Sequence, residues 1–403
     1  MFPGASASPR RPFHVLTKPT GPLCNLDCRY CYYLKKTALY PEARNWRMSD
    51  HVLEAFIVAY IGSQDTPEVQ FAWQGGEPTL LGVPFFEKVC ALQRQHAGGK
   101  RITNALQTNG TLLDDSWGEF LHRERFLVGL SLDGPREFHD QHRRDRGDHP
   151  TWERVMTGLR VLQRHQVDYN LLTVVSATNA PYPREVYRFL RSTGATFLQF
   201  IPLVERSEPC RSECVGDSLF ESVSPETVPA TAWGTFLCGV FDEWIRRDVG
   251  RVFVQAFDTA LAAWVGLPSP LCVHAETCGR ALAIEHNGDV YACDHYVDHS
   301  HRRGNLLTTP LERILAAPDQ LAFGRDKQRL LAPECLQCRW RFACHGGCPK
   351  HRFRTRVEEH PHHNHLCAGY RKYFAHIDEP MREMAALVRR GLPAERVMKR
   401  RRR

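Results

Sequence analysis

Apolar segments of strand length alternate with amphipathic segments along the first half of this chain. Six segments have the length and apolar content of strands: 13–17, 68–73, 102–108, 126–132, 168–175 and 196–202. Amphipathic helices are predicted between them, at 49–60, 83–96, 114–123, 151–165 and 182–192. Strands that alternate regularly with helices form right-handed βαβ units around a parallel sheet. We therefore expect an α/β fold, as a partial barrel or an open sheet, with its chemistry at the carboxyl ends of the strands.

A different pattern begins after residue 204. Segment 205–229 is polar and indicates an irregular connection, and apolar residues on one face predict a helix at 230–247. From residue 271 to residue 370 the chain is dense in Cys, His and Gly, which indicates a fold held together by bound metal. Five segments are expected: a flexible N-terminus at 1–11, the α/β unit at 12–204, a connection with one helix at 205–270, a cysteine-rich domain at 271–375, and a helical, basic C-terminal tail at 376–403.

Charge and hydropathy restrict the partners of this chain. The formal net charge is +8, but segment 389–403 holds eight Lys or Arg against one Glu, so the rest is nearly neutral. A solvated, frayed end accounts for such a tail. No segment reaches the roughly 18 uninterrupted apolar residues of a membrane span, and the first residues lack the apolar stretch of a secretory signal. We therefore expect a cytoplasmic protein with neither a membrane nor a nucleic acid as partner.

Three of the fifteen cysteines form a short cluster directly after the first predicted strand. Thiols stay reduced inside cells, so many cysteines in a chain without an export signal favour metal binding over disulfides. The spacing is Cys24-x3-Cys28-x2-Cys31. Three thiolates from one loop can hold three irons of a 4Fe–4S cube and leave the fourth iron open to a small molecule. A zinc site that lacks one ligand is the alternative.

A second group of eight cysteines lies in the cysteine-rich segment. Its members are Cys272, Cys278, Cys293, Cys335, Cys338, Cys344, Cys348 and Cys367. Eight thiolates suffice for two four-cysteine sites, either iron–sulfur clusters or zinc ribbons, and spacing alone does not separate the two metals. Of the other cysteines, Cys90 and Cys238 lie among apolar neighbours and are expected to be packing residues, while Cys210 and Cys214 receive no role.

Three polar motifs close the second, third and fourth predicted strands. They are the segments Gln-Gly-Gly-Glu-Pro at 74–78, Gln-Thr-Asn-Gly at 107–110 and Ser-Leu-Asp-Gly at 131–134. Adjacent glycines allow a ligand or another backbone to approach closely. The segment that carries Cys24, Cys28 and Cys31, here called the Cys24 loop, is expected at the same rim of the sheet as the three motifs. This common position indicates a single ligand site.

The cysteine triplet, the Gly-Gly-Glu-Pro motif and six βα units together resemble the radical SAM enzymes. The resemblance implies that Cys24, Cys28 and Cys31 hold a 4Fe–4S cluster whose open iron binds S-adenosylmethionine. It also implies that Gly75, Gly76 and Glu77 line the methionine amino group. Ser131 would then lie by the ribose or carboxylate of this cofactor, and Arg143 near its carboxylate.

The cysteine-rich segment resembles the SPASM domain that follows some radical SAM barrels. The resemblance rests on Gly288-x4-Cys293, on the run from Cys335 to Cys348, and on Cys367. It implies two auxiliary 4Fe–4S clusters with interleaved ligands, and so three clusters in all. One would be held by Cys272, Cys278, Cys293 and Cys348, and the other by Cys335, Cys338, Cys344 and Cys367.

Within that group, residues 12–373 most resemble the anaerobic sulfatase-maturating enzymes. The specific matches are segments 24–33, 198–202 and 293–296 and the Gln before Gly-Gly-Glu-Pro. The resemblance implies oxidation of an active-site Cys or Ser of an unfolded or nascent sulfatase, in a Cys/Ser-x-Pro-x-Arg segment, to Cα-formylglycine. A 5′-deoxyadenosyl radical would remove the Cβ hydrogen, Asp294 would act as the base, and the second electron would leave toward an auxiliary cluster. Gln74 and Tyr33 would contact the peptide, and a flavodoxin or ferredoxin would donate electrons.

Two other interpretations stay open at this point. The nearer one is another SPASM peptide maturase or a radical SAM dehydrogenase. The remote one is a zinc-ribbon protein that binds nucleic acid through its basic tail, which predicts a colourless protein and strongly salt-dependent binding. The remote interpretation leaves the three rim motifs unexplained.

Overall fold

One ten-stranded sheet organises the molecule, in the order β10-β9-β8-β1-β2-β3-β4-β5-β6-β7. The computed structural model describes residues 12–43, 45–207, 222–353 and 360–401. The strands are β1 (His14–Lys18), β2 (Glu68–Trp73), β3 (Arg101–Thr108), β4 (Leu127–Ser131), β5 (Tyr169–Val175), β6 (Phe197–Pro202), β7 (Phe253–Val254), β8 (Ala281–Glu285), β9 (Asp289–Tyr291) and β10 (Arg302–Asn305). The expected N-terminal segment 1–11 lies outside the described residues.

Helices connect the parallel strands and cover the sheet. They are α1 (Asp50–Gly62), α2 (Val83–His96), α3 (Asp115–Arg123), α4 (Arg136–His142), α5 (Trp152–Arg164), α6 (Pro183–Ser192), α7 (Ala230–Arg247), α8 (Gln255–Val265), α9 (Leu311–Ala316), α10 (Pro318–Arg329), α11 (Pro333–Leu336), α12 (Arg341–Cys344), α13 (Cys367–Arg389) and α14 (Met398–Arg401). Local sequence sets several of their ends. Ser49 and Asp114, for example, accept a hydrogen bond from the first turn of α1 and α3.

The six predicted strands are confirmed as β1 to β6, and neighbouring strands from β1 to β6 pair in parallel. Their carboxyl ends therefore share one rim. Buried aromatic side chains from β2 and the helices fill the space behind the sheet, among them Phe56, Phe71, Trp73 and Phe86. This packing fixes the rim on which the candidate residues lie.

A hairpin from the cysteine-rich segment extends the sheet at the free edge of β1. Strand β8 pairs in parallel with β1 over its full length, from His14 opposite Ala281 to Lys18 opposite Glu285, and β9 pairs antiparallel with β8. The apolar faces of both short strands are buried. This pairing covers an edge that would otherwise expose unpaired backbone groups. It also brings the turn after β9 to the carboxyl end of β1.

The long helix α13 packs against α7 through two glycines. A Cβ atom at Gly369 would lie 2.1 Å from the carbonyl oxygen of Ala230, and one at Gly234 would lie 2.5 Å from the carbonyl oxygen of Gly369. Neither contact leaves room for a side chain. Helix α13 crosses the boundary expected between the segments 271–375 and 376–403, so the C-terminal residues continue the packed structure.

Substituting Gly369→Ala is expected to lower the free energy of unfolding by about 1–3 kcal/mol, because the new methyl group meets backbone. The matched control is Gly62→Ala at the end of α1, where nothing lies within 4 Å of the added atom; this change should stabilise by about 0.4–1 kcal/mol. The midpoint of thermal unfolding of the reconstituted protein checks both. Equal midpoints for the two variants would contradict the close packing of α7 and α13.

Candidate active site

The Cys24 loop follows β1 and is held against the segment after α4. The backbone N–H of Asp27 donates to the Arg144 carbonyl at 2.8 Å, and that of Arg29 donates to the His142 carbonyl at 3.0 Å. The pKa of Cys24 and of Cys28 is raised to about 12, chiefly by burial and in part by the neighbouring Cys31 thiolate. Cys24, Cys28 and Cys31 are all half-buried on this one loop, and a metal centre binds cysteines as thiolates. The triplet therefore fits an iron–sulfur cluster.

The Gly-Gly-Glu-Pro motif lies directly against the start of the Cys24 loop. A Cβ atom at Gly76 would lie 1.9 Å from the Leu23 carbonyl oxygen, so only glycine fits. The N–H groups of Gly76 and Glu77 donate at 2.8 Å to the carbonyls of Gly21 and Leu23. The loop predicted to line a cofactor thus also fixes the path of the chain into the cysteines.

Glu77 joins the motifs that close β2 and β3. One carboxylate oxygen accepts from Thr79 N–H at 3.0 Å and from the hydroxyls of Thr79 and Thr108 at 2.6 and 2.7 Å. The other oxygen accepts from the N–H of Asn109 at 2.7 Å. Burial raises the pKa of Glu77, and these hydrogen bonds oppose that shift. The Glu77 carboxylate therefore holds the segments after β2 and β3 together. Its contact with a methionine amino group stays a prediction.

Arg143 lies beside the cysteines in a buried ion pair with Asp133. Its Nε and one terminal nitrogen donate to the two Asp133 oxygens at 2.8 and 3.2 Å, and Tyr30 donates to the same carboxylate. The Arg143 charge acts against the burial that raises the pKa of Cys28. Ser131 lies buried at the end of β4. Ser131 and Arg143, the residues predicted to contact the cofactor, therefore lie at the same rim as the cysteines. The Arg143 guanidinium is paired with Asp133 there.

Asp294 lies in the turn after β9, against the carboxyl end of β1. It forms a buried ion pair with Lys18 and accepts a hydrogen bond from the Tyr32 hydroxyl at 3.1 Å. Burial opposes ionisation of Asp294, but the neighbouring Lys18 ammonium holds the pKa of this carboxyl below its usual range. The predicted base is thus an ionised carboxylate, and it contacts Tyr32, the residue after Cys31.

The two residues predicted to contact the peptide occupy different surroundings. Gln74 follows β2 and is half-buried at the rim, with its N–H donating to the Thr17 carbonyl at 2.9 Å. Tyr33 is 3% exposed, donates its hydroxyl to Glu285, and lies under the Lys18 ammonium at 4.4 Å. Tyr33 therefore forms part of the wall beside β8, and its contact with substrate stays a prediction.

The other eight predicted ligands separate into two groups in space. The Cys293 set contains Cys272, Cys278, Cys293 and Cys348, and the Cys367 set contains Cys335, Cys338, Cys344 and Cys367. Burial is the largest cause of a raised pKa in six of these thiols, and a thiolate of the same set adds to it in each; the six are Cys278, Cys293, Cys348, Cys335, Cys344 and Cys367. The Cys367 set lines a cavity of about 610 Å³. The cavity accommodates a group larger than a single ion, and the assignment of each set to one cluster stays a prediction. Cys210 and Cys214 lie outside the described residues.

Comparisons with known proteins agree with this arrangement. The radical SAM superfamily matches residues 19–190, and an iron–sulfur cluster-binding domain, SPASM, matches residues 272–339. A serine-type anaerobic sulfatase-maturating enzyme of Bacteroides thetaiotaomicron is 43% identical over 91% of this chain and 90% of its own length. The chain belongs to the anaerobic sulfatase-maturating enzymes.

Further relatives of the same family match with similar coverage. A cysteine-type anaerobic sulfatase-maturating enzyme of Clostridium perfringens is 32% identical over 90% of this chain and 95% of its own length. A solved structure of native anSMEcpe with bound AdoMet and Cp18Cys peptide superposes with a TM-score of 0.82 at 31% identity, covering 94% of this chain and 100% of that one. The predicted radical SAM and SPASM fold, the predicted iron–sulfur and S-adenosylmethionine chemistry, and the predicted maturation of a sulfatase are confirmed. None of the helices in the described residues is both long and apolar enough to cross a membrane.

Two polar residues of this sulfatase-maturating site were missed by sequence reasoning. Lys18 closes β1 and is 2% exposed, and Tyr32 is the residue whose hydroxyl reaches Asp294. A lysine at the carboxyl end of a buried strand is a detectable signal, since lysine is rarely buried without a charged partner. Nothing near Tyr32 in the sequence indicates that this tyrosine, and not the adjacent Tyr33, contacts Asp294.

Substituting Glu77→Gln is expected to destabilise the protein by about 1–3 kcal/mol, because the amide places an N–H₂ group against a buried donor. It should also weaken S-adenosylmethionine binding, since the β2 and β3 rims lose their connection. Glu87→Gln on exposed α2 surface is the control and should stay within about 0.5 kcal/mol of wild type. Thermal unfolding and equilibrium dialysis measure the two effects. An unchanged midpoint in Glu77→Gln would contradict the assigned hydrogen bonds.

Proposed function

We propose that this enzyme oxidises an active-site serine of a sulfatase, in a Ser-x-Pro-x-Arg segment, to Cα-formylglycine. The observation that carries the choice of serine is the difference in identity between relatives. Serine-type enzymes of Bacteroides thetaiotaomicron and Klebsiella aerogenes are 43% and 40% identical to this chain, whereas the cysteine-type enzyme of Clostridium perfringens is 32% identical.

Three 4Fe–4S clusters would be held by the three cysteine groups. The Cys24 loop supplies three ligands and leaves one iron for S-adenosylmethionine, and the Cys293 and Cys367 sets supply four each. Support comes from the grouping of the thiols in space and from the cavity beside the Cys367 set. When bound, the first cluster and S-adenosylmethionine supply the one-electron chemistry that breaks a C–H bond at the substrate Cβ.

Asp294 would accept the proton of the serine hydroxyl. One of its oxygens is paired with Lys18 and the other with Tyr32, so the carboxylate is held in one orientation at the rim. Lys18 keeps it ionised before the substrate arrives. A fixed, ionised carboxylate beside the reacting carbon is the arrangement that general-base catalysis requires. Product formation removes two hydrogen atoms from serine, one as the Cβ hydrogen and one as the proton taken by Asp294, together with one electron.

The residues of the rim would orient the cofactor and the peptide. Gly75 and Gly76 allow the backbone to approach the methionine end of S-adenosylmethionine, and Ser131 and Arg143 would lie toward its ribose and carboxylate. Gln74 and Tyr33 would contact the peptide. Support for these roles is the position of the residues: Gln74, Gly75 and Gly76 follow β2, Ser131 ends β4, Arg143 follows α4, and Tyr33 follows the loop that carries Cys31.

An external flavodoxin or ferredoxin would reduce the clusters. The enzyme would act in the cytoplasm, where thiols stay reduced and a nascent sulfatase is still unfolded.

Anaerobic purification, iron analysis and turnover of two matched peptides test this proposal. The peptides differ only in Ser or Cys at the target position of the x-Pro-x-Arg segment, and are incubated with a reductant and S-adenosylmethionine. About twelve irons per chain are expected. The serine peptide should lose the mass of two hydrogen atoms with the higher kcat/KM. A higher kcat/KM for cysteine would overturn the serine assignment, and 5′-deoxyadenosine formation without either product would overturn the sulfatase segment as substrate.

A further inference from the structure

Lys327 on α10 is a buried cation beside the Cys293 set. Its side chain is 1% exposed, and its amino group donates to three backbone carbonyls, those of Cys272, Val273 (3.0 Å) and Ala275. An amino group that serves three acceptors uses three hydrogens, so it is an ammonium. The turn that it holds carries Cys272. Lys327 therefore places a full positive charge against the backbone of one predicted ligand.

Arg352 is a second buried cation, at the junction of the two cysteine sets. It is 6% exposed and donates to the carbonyls of His345, Gly346 and Gly347 at 3.0, 3.0 and 3.3 Å, and to that of Lys327 at 2.5 Å. The three residues of this turn join Cys344 of the Cys367 set to Cys348 of the Cys293 set. Gly346 and Gly347 have positive φ, and a Cβ atom on Gly346 would lie 2.7 Å from the guanidinium.

Neither cation has a carboxylate partner among the residues that the structure describes. The ion pairs on the same segments involve other residues, such as Arg329 with Asp326 and Lys350 with Glu205. The thiolates are the opposing charges instead. Burial lowers the pKa of Lys327, and Cys278, Cys272 and Cys348 raise it. For Arg352 the same effect of burial is opposed by thiolates of both sets, Cys335 and Cys348 first.

Two buried cations that have no carboxylate partner in the described part of the chain are costly to a fold unless another negative group faces them. Four thiolates around a 4Fe–4S core are such a group, and their total negative charge increases by one when the cluster takes up an electron. A fixed cation in a low-dielectric interior stabilises the reduced form more than the oxidised form.

We propose that Lys327 and Arg352 raise the reduction potentials of the two auxiliary clusters, Lys327 that of the Cys293 set and Arg352 those of both sets. Both are positioning residues, because they act on the clusters through charge and through the turns that carry the ligands. The proposal rests on the proposed function, since it takes the two sets as cluster ligands. Beyond that function, it states that charges on α10 and on the segment after Cys348 set the reduction potentials of the clusters that accept the electron.

The test uses the full-length chain with Cys24→Ala, Cys28→Ala and Cys31→Ala, so that only the auxiliary clusters are present. Redox titration followed by electron paramagnetic resonance gives their midpoint potentials. Lys327→Gln should lower one midpoint by a tenfold change in the reduction equilibrium, about 59 mV for one electron, and Arg352→Gln should lower both. Arg329→Gln, an exposed cation on the same helix, and Arg352→Lys, which keeps the charge, should leave both midpoints unchanged.

Each outcome decides the proposal. Midpoints that do not move in Lys327→Gln and Arg352→Gln, with about eight irons per chain retained, overturn it. If only one of Lys327→Gln and Arg352→Gln loses iron, the midpoint potentials of the other variant decide. If both Lys327→Gln and Arg352→Gln lose iron while Arg352→Lys keeps it, the clusters require the positive charge, which supports the proposal. If all three variants lose iron, the two side chains act through packing alone, and the proposal is overturned. If the parent triple variant holds no iron, the cluster assignment itself fails, and that result is distinct from unmoved potentials.

Discussion

Turnover of the substrate peptide is expected to fall by about 100- to 10,000-fold in Asp294→Asn, the range that a positioned base contributes. Asparagine keeps the shape of the side chain but cannot take a proton, and it leaves the Lys18 ammonium without its ionised partner. The iron content should stay at that of wild type, because Asp294 is not among the predicted cluster ligands. Formation of formylglycine is measured by mass spectrometry of the peptide.

The control for this prediction is Asp298→Asn. Asp298 lies four residues further on, caps the turn at His299–His301 and pairs with His301 at the surface. Its side chain is 39% exposed, so its loss should change turnover little. Wild-type turnover in Asp294→Asn, or equal losses in the two variants, would show that Asp294 is not the base.

Replacement of all three cysteines of the Cys24 loop by alanine is expected to abolish cleavage of S-adenosylmethionine and all peptide turnover. The chain should lose about four of its twelve irons and keep the other eight, because the Cys293 and Cys367 sets lie on separate turns. Iron analysis and chromatography of 5′-deoxyadenosine measure the two effects.

A cysteine outside the three groups provides the matched control. Cys90 is buried in α2 among apolar side chains, so Cys90→Ala should cost some stability through lost packing and keep all twelve irons and full turnover. If Cys90→Ala also lost four irons, the assignment of the open cluster to the Cys24 loop would be wrong.

Local sequence patterns predicted the elements well where periodicity decides the structure. The predicted segments 68–73, 83–96 and 230–247 coincide with β2, α2 and α7. Strands β1 and β3 to β6 begin and end within one residue of their predicted limits. Each of these elements buries one face against a common core, so its apolar period is visible within the segment itself.

Short or weakly periodic elements were not predicted. The two-residue β7, the three- to five-residue strands β8 to β10 and the seven-residue α4 are too short to show a period. Helix α8 was also missed. Helix α13 begins at Cys367, in the cysteine-rich segment, whereas a helical segment was expected only from residue 376. Packing against α7 and the sheet stabilises them more than their own sequence does.

By itself the sequence determined the order of the βα units, the ligand residues and their spacing, and hence the family and its chemistry. Only the tertiary structure decided which distant residues meet. Pairing of β8 with β1 brings Asp294 to Lys18 and to Tyr32, which lies 262 residues earlier. Tertiary packing also brings Lys327 to the Cys272 carbonyl and Arg352 to the turn between Cys344 and Cys348. Such contacts depend on which sheet edges and helix faces remain free after the core has packed. The hydrophobic periodicity of a single segment does not contain that information.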